Sequence, residues 1–312
     1  MYLKIPIMSL TKFLTRPEVK EKFAKTFVFK SPKLKSEIRA RPQTDNHSMV
    51  ETAFDYLLRF HLERLNPGSI KRKWVAELAV DSTMKYKPTL DLLQKYFDYK
   101  APRKDSEATI VDKITVGFES SKINYENFLR NGNLSNEFLK SCIFLAKLDP
   151  IIRSGWHQFN PQILEMDNEG DITDLRNLIA IVDFSLFKSK QISILNPTFG
   201  KGSSLVGGAD ADFIIDDKLI VIETTKKLAM SRSQVDQIIG CYLLTKIGGI
   251  DFAKGHKVNK IGLYFSRYAK LYEIPVSFID ENPKLPEFMI WFEKKAKKMV
   301  EKTKISKRIL VE

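Results

Sequence analysis

Residues 207–227 read GGADADFIIDDKLIVIETTKK, and the fold turns on how this stretch pairs with itself. Two apolar runs flank Asp216-Asp217, a turn dipeptide, so a hairpin with a two-residue loop is expected. In that register Ile215 faces Lys218, Ile214 faces Leu219, Phe213 faces Ile220 and Asp212 faces Val221; carried outward, Asp210 faces Glu223. Directly opposed residues point to one side of a sheet, and side chains alternate with period two. Asp210, Asp212 and Glu223 therefore share one face near the open end of the hairpin, with Asp210 directly across from Glu223 and Asp212 diagonal to it. Three carboxylates so placed repel one another, and the pattern calls for a divalent metal, a proton or nearby lysines. Oxygen-rich clusters suit Mg2+ or Mn2+. Lys226 and Lys227 follow at once and could supply charge or grip a phosphate. Gly200, Gly202, Gly207 and Gly208 precede the hairpin and let backbone approach a ligand closely.

Working outward, 191–199 (QISILNPTF) reads as a strand broken at Asn196-Pro197. Residues 231–249 read as a helix stopped by Gly248-Gly249, 260–268 as a fourth strand and 285–302 as a last helix. From Asp171 the order is helix, three strands, helix, strand, a small α/β core. Upstream the periodicity is helical: 50–68, 69–80, 89–97, a run opening on the capping types Asp105-Ser106, 134–150 with Pro150 just past its end, and 171–187. Residues 1–48 are basic and weakly periodic. Within them FKSPKLKSEIRARPQ carries Lys30, Lys33, Lys35, Arg39 and Arg41 between prolines and reads as an extended arm, solvated or laid on a phosphate backbone. The expected organisation is a basic segment over 1–48, a helical region over 49–170 and an α/β core over 171–312 that ends in a basic helix.

The hairpin, its Asp-Asp turn, the LIVIETTK strand and Gln237 on the next helix resemble the PD-(D/E)XK nuclease superfamily over about Asp171 to Tyr268, closest to its restriction-endonuclease-like and CRISPR-associated exonuclease-like branches. The resemblance implies a restriction-endonuclease-like core, with a small mixed sheet flanked by helices, preceded by a helical N-terminal region. It implies a metal-binding aspartate at Asp212, an acid-x-lysine pair on the next strand, and a glutamine and tyrosine on the following helix at Gln237 and Tyr242. The hairpin register puts the pair at Val221 and Glu223, which removes one carboxylate and replaces the lysine. A second register makes Glu223 the acid and Thr225 the lysine position, with Lys226 acting from the next residue. For an active enzyme the resemblance implies metal-assisted phosphodiester hydrolysis: Mg2+ or Mn2+ on Asp212, Glu223 and the carbonyl of Ile222, with Asp210 in support, Lys226 on the transition state and Gln237 orienting water or phosphate. Glu51, Asp55 and Asp183 are further acids that could join, or else cap and cover helices.

The chain has 312 residues, 43% hydrophobic and 29% charged, enough for a sizeable core. Lys+Arg 51 against Asp+Glu 38 leaves +13, which favours polyanionic partners or a lysine-rich solvated surface. No apolar run reaches membrane-spanning length, and MYLKIPIMSLTKFL lacks a small-residue cleavage site, so neither a membrane helix nor a signal peptide is expected. Cys142 and Cys241 are too few for a structural zinc or iron–sulfur site and fit buried reduced thiols of a cytoplasmic protein. His47, His61, His157 and His256 share no metal spacing. The stretch from Asp167 to Asp171 lacks a full calcium loop and reads as a turn with a helix cap. Neither a phosphate-binding Gly-Lys-Ser/Thr loop nor a Gly-x-Ser-x-Gly elbow is present.

Nucleic-acid contacts are expected from Lys201, Lys227, Arg232, Arg267, Lys294 and Lys298, with Phe265 and Tyr268 as stacking candidates. The leading expectation is a divalent-metal-dependent deoxyribonuclease of prokaryotic type, acting on DNA away from membranes and able to work as a homodimer. Two alternatives stand beside it: a nuclease-fold protein that binds nucleic acid without cutting it, and a protein-interaction scaffold.

Overall fold

The 207–227 hairpin forms in the expected register at the middle of a mixed sheet. A computed structural model of the chain describes residues 9–86, 109–166 and 168–309, with backbone alone at 157 and 302–309. The expected helix over 89–97, the Asp105-Ser106 cap, Asp167, and the side chains of His157, Lys302, Lys304, Lys307 and Arg308 lie outside the described residues.

Among the described residues the sheet has six strands: β1 (Ile70–Lys71), β2 (Ser193–Leu195), β3 (Phe213–Ile215), β4 (Lys218–Glu223), β5 (Lys260–Phe265) and β6 (Lys270–Pro275). They lie side by side in chain order. Phe213 pairs with Ile220, Ile214 with Leu219 and Ile215 with Lys218. Antiparallel pairs join β2 to β3, β3 to β4 and β5 to β6, whereas β1–β2 and β4–β5 are parallel. The parallel β4–β5 pair requires a crossover, and α9 (Arg232–Gly248) supplies it. The fold is thus α/β, a small mixed sheet flanked by helices.

Period-two alternation sends the two faces of β3 and β4 to different neighbours. Ile214, Leu219 and Val221 pack with Val235, Ile238 and Ile239 of α9. The same cluster takes in α1 (Leu10–Leu14), α2 (Pro17–Thr26), α10 (Ser277–Asp280) and α11 (Leu285–Ile309). Val19, Phe23 and Phe27 recur at helical spacing, and the Phe23 and Phe27 rings lie 5.0 and 4.9 Å from that of Phe288. Each fully buried phenylalanine stabilises by roughly 2 kcal/mol. On the opposite face Phe187 meets Phe213 at 6.1 Å and Tyr264 at 4.9 Å.

Contacts divide the chain into an α/β unit (1–41, 65–72 and 181–312) and a helical unit (42–64 and 73–180). The basic N-terminal segment therefore contributes α1 and α2 to the α/β unit, a consequence of apolar spacing that its lysines obscure. The helical unit holds α3 (His47–Leu65), α4 (75–86), α5 (Ile110–Asn131), α6 (Asn136–Arg153) and α7 (Glu169–Ala180). Four local expectations need correction. Residues 69–80 are not one helix: Ile70–Lys71 forms β1 on β2 before α4 begins. The cap of α5 is Thr109, in a reciprocal box with Asp112. Pro150 lies inside α6, which continues one turn to Arg153. Finally, 171–187 splits into α7 and a 3-10 turn, Phe184–Phe187, capped by Asp183.

Candidate functional site

The ladder of the hairpin ends at Phe213. Beyond it Asp212 closes the open end with its side chain: Oδ2 accepts the Ile222 N–H at 2.6 Å. The preceding residues turn away from β4 and follow the exit of β2. Asn196 N donates to Asp212 O at 2.9 Å, Ala211 N donates to Pro197 O at 3.1 Å, and Asp210 forms an isolated bridge with Thr198. Asp210 is therefore not the cross-strand neighbour of Glu223. The reason is local: Asn196 at φ 55 redirects the chain after β2, and its neighbours satisfy the backbone groups that β4 would otherwise have paired.

Glu223 and the backbone of Asp210 meet α9. Cys241 Sγ lies 3.6 Å from Asp210 O. Burial, and then the charges of Asp210 and Asp212, push the Cys241 thiol far above its ordinary pKa, so it stays protonated. Glu223, the last residue of β4, accepts Gln234 Nε2 at 2.6 Å. Gln234 is also the third residue of α9 and completes a capping box with Ser231. Gln234, and not Gln237, is thus the glutamine bonded to Glu223; Gln237 is half-buried one turn on. Cys241 follows Gln234 by two turns, about 10 Å of rise. Glu223 and the Asp210 backbone meet α9 at these separate levels.

Two of the acids expected to hold Mg2+ or Mn2+ have hydrogen-bond partners within the chain. Val221, in the acid position across from Asp212, is apolar and 6% exposed. Asp212 and Glu223 each hold an N–H donor, and Ile222 is buried within the β4–β5 ladder opposite Tyr264. Among the described residues, no three His, Cys, Asp or Glu side chains are placed to hold one metal ion. In the register that puts the acid at Val221, the residues present supply one carboxylate of the expected pair, Asp212; in the other register Glu223 is the second.

Beyond Glu223 the chain forms a fixed basic loop. Ser266 Oγ donates to Thr224 Oγ1 at 3.0 Å, Tyr268 OH donates to Lys226 O at 2.6 Å, and Thr225 Oγ1 donates to Lys227 O at 2.7 Å. The side chains of Lys226 and Lys227 are exposed. β4 ends before Lys226, so the constraint of sheet alternation no longer applies to it. Lys201, at the start of α8 (Lys201–Leu205), and Lys294 and Lys298 on α11 are exposed as well.

Several expected contacts prove structural. Arg267 is 1% exposed and donates Nη1–H to Ala40 O at 3.2 Å, so it cannot meet nucleic acid. Arg232 pairs with Asp236 at 2.7 Å and donates to Phe27 O at 2.8 Å. Phe265 and Tyr268 are buried, which removes them as stacking surfaces. Tyr242 OH donates to Asp280 at 2.7 Å, away from the acids. Asp183 accepts Ser185 N–H at 3.1 Å, and Asp55 pairs with Arg59 within α3. Gly202 serves packing: a Cβ there would meet Leu244 O at 2.5 Å. Sequence reasoning missed Arg72, whose guanidinium bonds Thr198, the bridge partner of Asp210, and lies 3.5 Å from Asp251. No signal near residue 72 could have announced it, because the partners are distant in sequence.

The helical unit has a cavity of about 450 Å³ lined by His47, Asp149 and Arg153 among others. Burial raises the Asp149 pKa against the opposing influence of Arg153 and of the Tyr56 hydroxyl, which donates to it at 2.8 Å. No helix among the described residues is long and apolar enough to cross a membrane. No family model, curated protein or solved structure matches the chain.

Proposed function

We propose that the protein binds nucleic acid, DNA in the first instance, on a restriction-endonuclease-like α/β unit whose catalytic pair has been replaced by Val221 and Glu223. The observation that carries this reading is the position of Lys226 and Lys227, exposed between the carboxyl end of β4 and the N-terminus of α9. In open α/β sheets ligands bind outside the carboxyl ends of parallel strands. The N-terminus of a 17-residue helix adds partial positive charge there. A phosphate is the group this combination favours, and the +13 balance draws polyanions toward it. Lys201 and the α11 lysines Lys294 and Lys298 extend the basic surface of the same unit.

Fluorescence anisotropy with labelled DNA in EDTA tests the reading. Wild type should bind at low salt, and Lys226→Ala with Lys227→Ala should flatten the slope of log affinity against log salt by about 2. No binding at low salt would refute it and leave the interaction scaffold.

Cleavage is the second reading, favoured by Asp212 and Glu223, the two acids whose side chains flank the end of β4. Plasmid and single-stranded DNA incubated with Mg2+ or Mn2+ decide it. The first reading expects wild type and Asp212→Ala to be equally inert. Nicking by wild type alone would restore the nuclease.

A further inference from the structure

Residues 28–41 form neither helix nor strand, yet they are tied down at both ends. Ser31 Oγ donates to Met230 O at 2.8 Å. At the other end Arg39 N and Ala40 N donate to Arg267 O at 2.9 and 3.1 Å, and the buried Arg267 guanidinium returns a bond to Ala40 O. Phe29, Leu34 and Ile38 pack against the core between and beside these ties. Phe29, Leu34 and Ile38 thus go inward, whereas Val28, Lys30, Lys33, Lys35 and Arg39 remain exposed. Among the described residues Lys30, Lys33 and Lys35 make no ion pair, and Glu37 is the one acid in the stretch.

The ties land on the two sides of the basic loop. Met230 lies three residues beyond Lys227, and Arg267 adjoins Tyr268, whose hydroxyl holds Lys226 O. Ordering an irregular segment costs conformational entropy at every residue. Holding its lysines outward, beside two more, keeps like charges together that water and chain freedom would otherwise separate. Such an arrangement is preorganised for a partner whose charges are spaced along a line.

We infer that residues 28–41 are a phosphate-backbone strap, which together with Lys226 and Lys227 forms a continuous track for nucleic acid. This inference rests on the proposed function and deepens it by naming a second contact surface. Arg267 acts in it as the buried anchor of the strap.

The test is anisotropy on the full chain with labelled duplex DNA, comparing wild type, the strap variant K30A/K33A/K35A, and a control that removes equal charge from the helical unit, K85A/K122A/R130A. Loss of three phosphate contacts should lower the salt slope of the strap variant by about 2 to 3. Between about 50 and 200 mM salt, wild type should then lose about 40-fold more affinity than the strap variant. The control should keep the wild-type slope. Wild-type binding with an unchanged slope in the strap variant would overturn the strap and leave the proposed function standing. An equal fall in the control would also overturn it, since net charge alone would then suffice. Displacement of DNA by polyglutamate at equal charge, with the same dependence on the strap lysines, would mark a general polyanion surface and reject the nucleic-acid track. Absence of wild-type binding at low salt would remove the proposed function itself, and the strap with it.

Discussion

Asp216 shows how one carboxylate can hold a hairpin in place. Its φ of 51 puts it in the left-handed region that Asp tolerates better than most residues. Its carboxylate accepts N–H bonds from Lys190 at 3.0 Å, Gln191 at 2.8 Å and Ile192 at 3.2 Å. Burial opposes the charge, but these donors and Lys218 hold its pKa below the ordinary carboxylate value. A lowered pKa contributes stability that is fully present above the unfolded value, about 3.9, and lost as pH falls through the folded one. Asp216→Ala should lower unfolding stability by about 1–3 kcal/mol at neutral pH, and the deficit should shrink toward pH 3. Urea denaturation at both pH values measures this; a deficit independent of pH would mean the charge is not involved. The Asp216-Asp217 turn was legible because turn chemistry is local. The partner of Glu223 was not: Gln234 and Gln237 lie on one helix face, and only the angle at which α9 crosses β4 selects the first.

At the scale of elements, α8 and α9 pack backbone to backbone through two glycines. A Cβ on Gly248 would meet Phe199 O at 1.8 Å and Gly202 N at 2.4 Å. In an open helix, glycine to alanine stabilises by roughly 0.5–1 kcal/mol. Here rigid backbone stands in the way, so the sign reverses, and Gly248→Ala should cost about 3 kcal/mol in thermal or urea unfolding. A stabilised variant would show that the two helices can separate at no cost. The stop signal at Gly248-Gly249 was readable in the sequence, whereas the packing role of Gly248 was not. The same division runs through the sheet. β2 to β5 lie in apolar stretches and were expected. β1 contributes only Ile70 and Lys71, and β6 is exposed or half-buried at every position but Ile274. Such strands exist because a neighbour offers a ladder, and no local pattern encodes that neighbour.

For the whole molecule the governing quantity is the +13 charge. A ligand that binds only the folded state raises the unfolding midpoint by mass action. A short DNA duplex at about one hundred times its Kd should raise Tm by roughly 4 °C at low salt. In about 0.5 M salt the rise should vanish, because released counterions no longer favour the complex. A rise indifferent to salt, followed by differential scanning fluorimetry, would rule out an electrostatic interface. The alternation of 213–223 placed the hairpin, its register and its buried strands. These are properties of neighbouring residues, and backbone sterics and side-chain period suffice to read them. Which acids stand together, which arginine is buried and where the basic arm lies were decided only in three dimensions. Asp210 pairs with Thr198 instead of facing Glu223, and Arg267 anchors Ala40 instead of a phosphate. Those choices arise from contacts between segments far apart in the chain, where burial and hydrogen-bond satisfaction select among partners that the local sequence leaves equivalent.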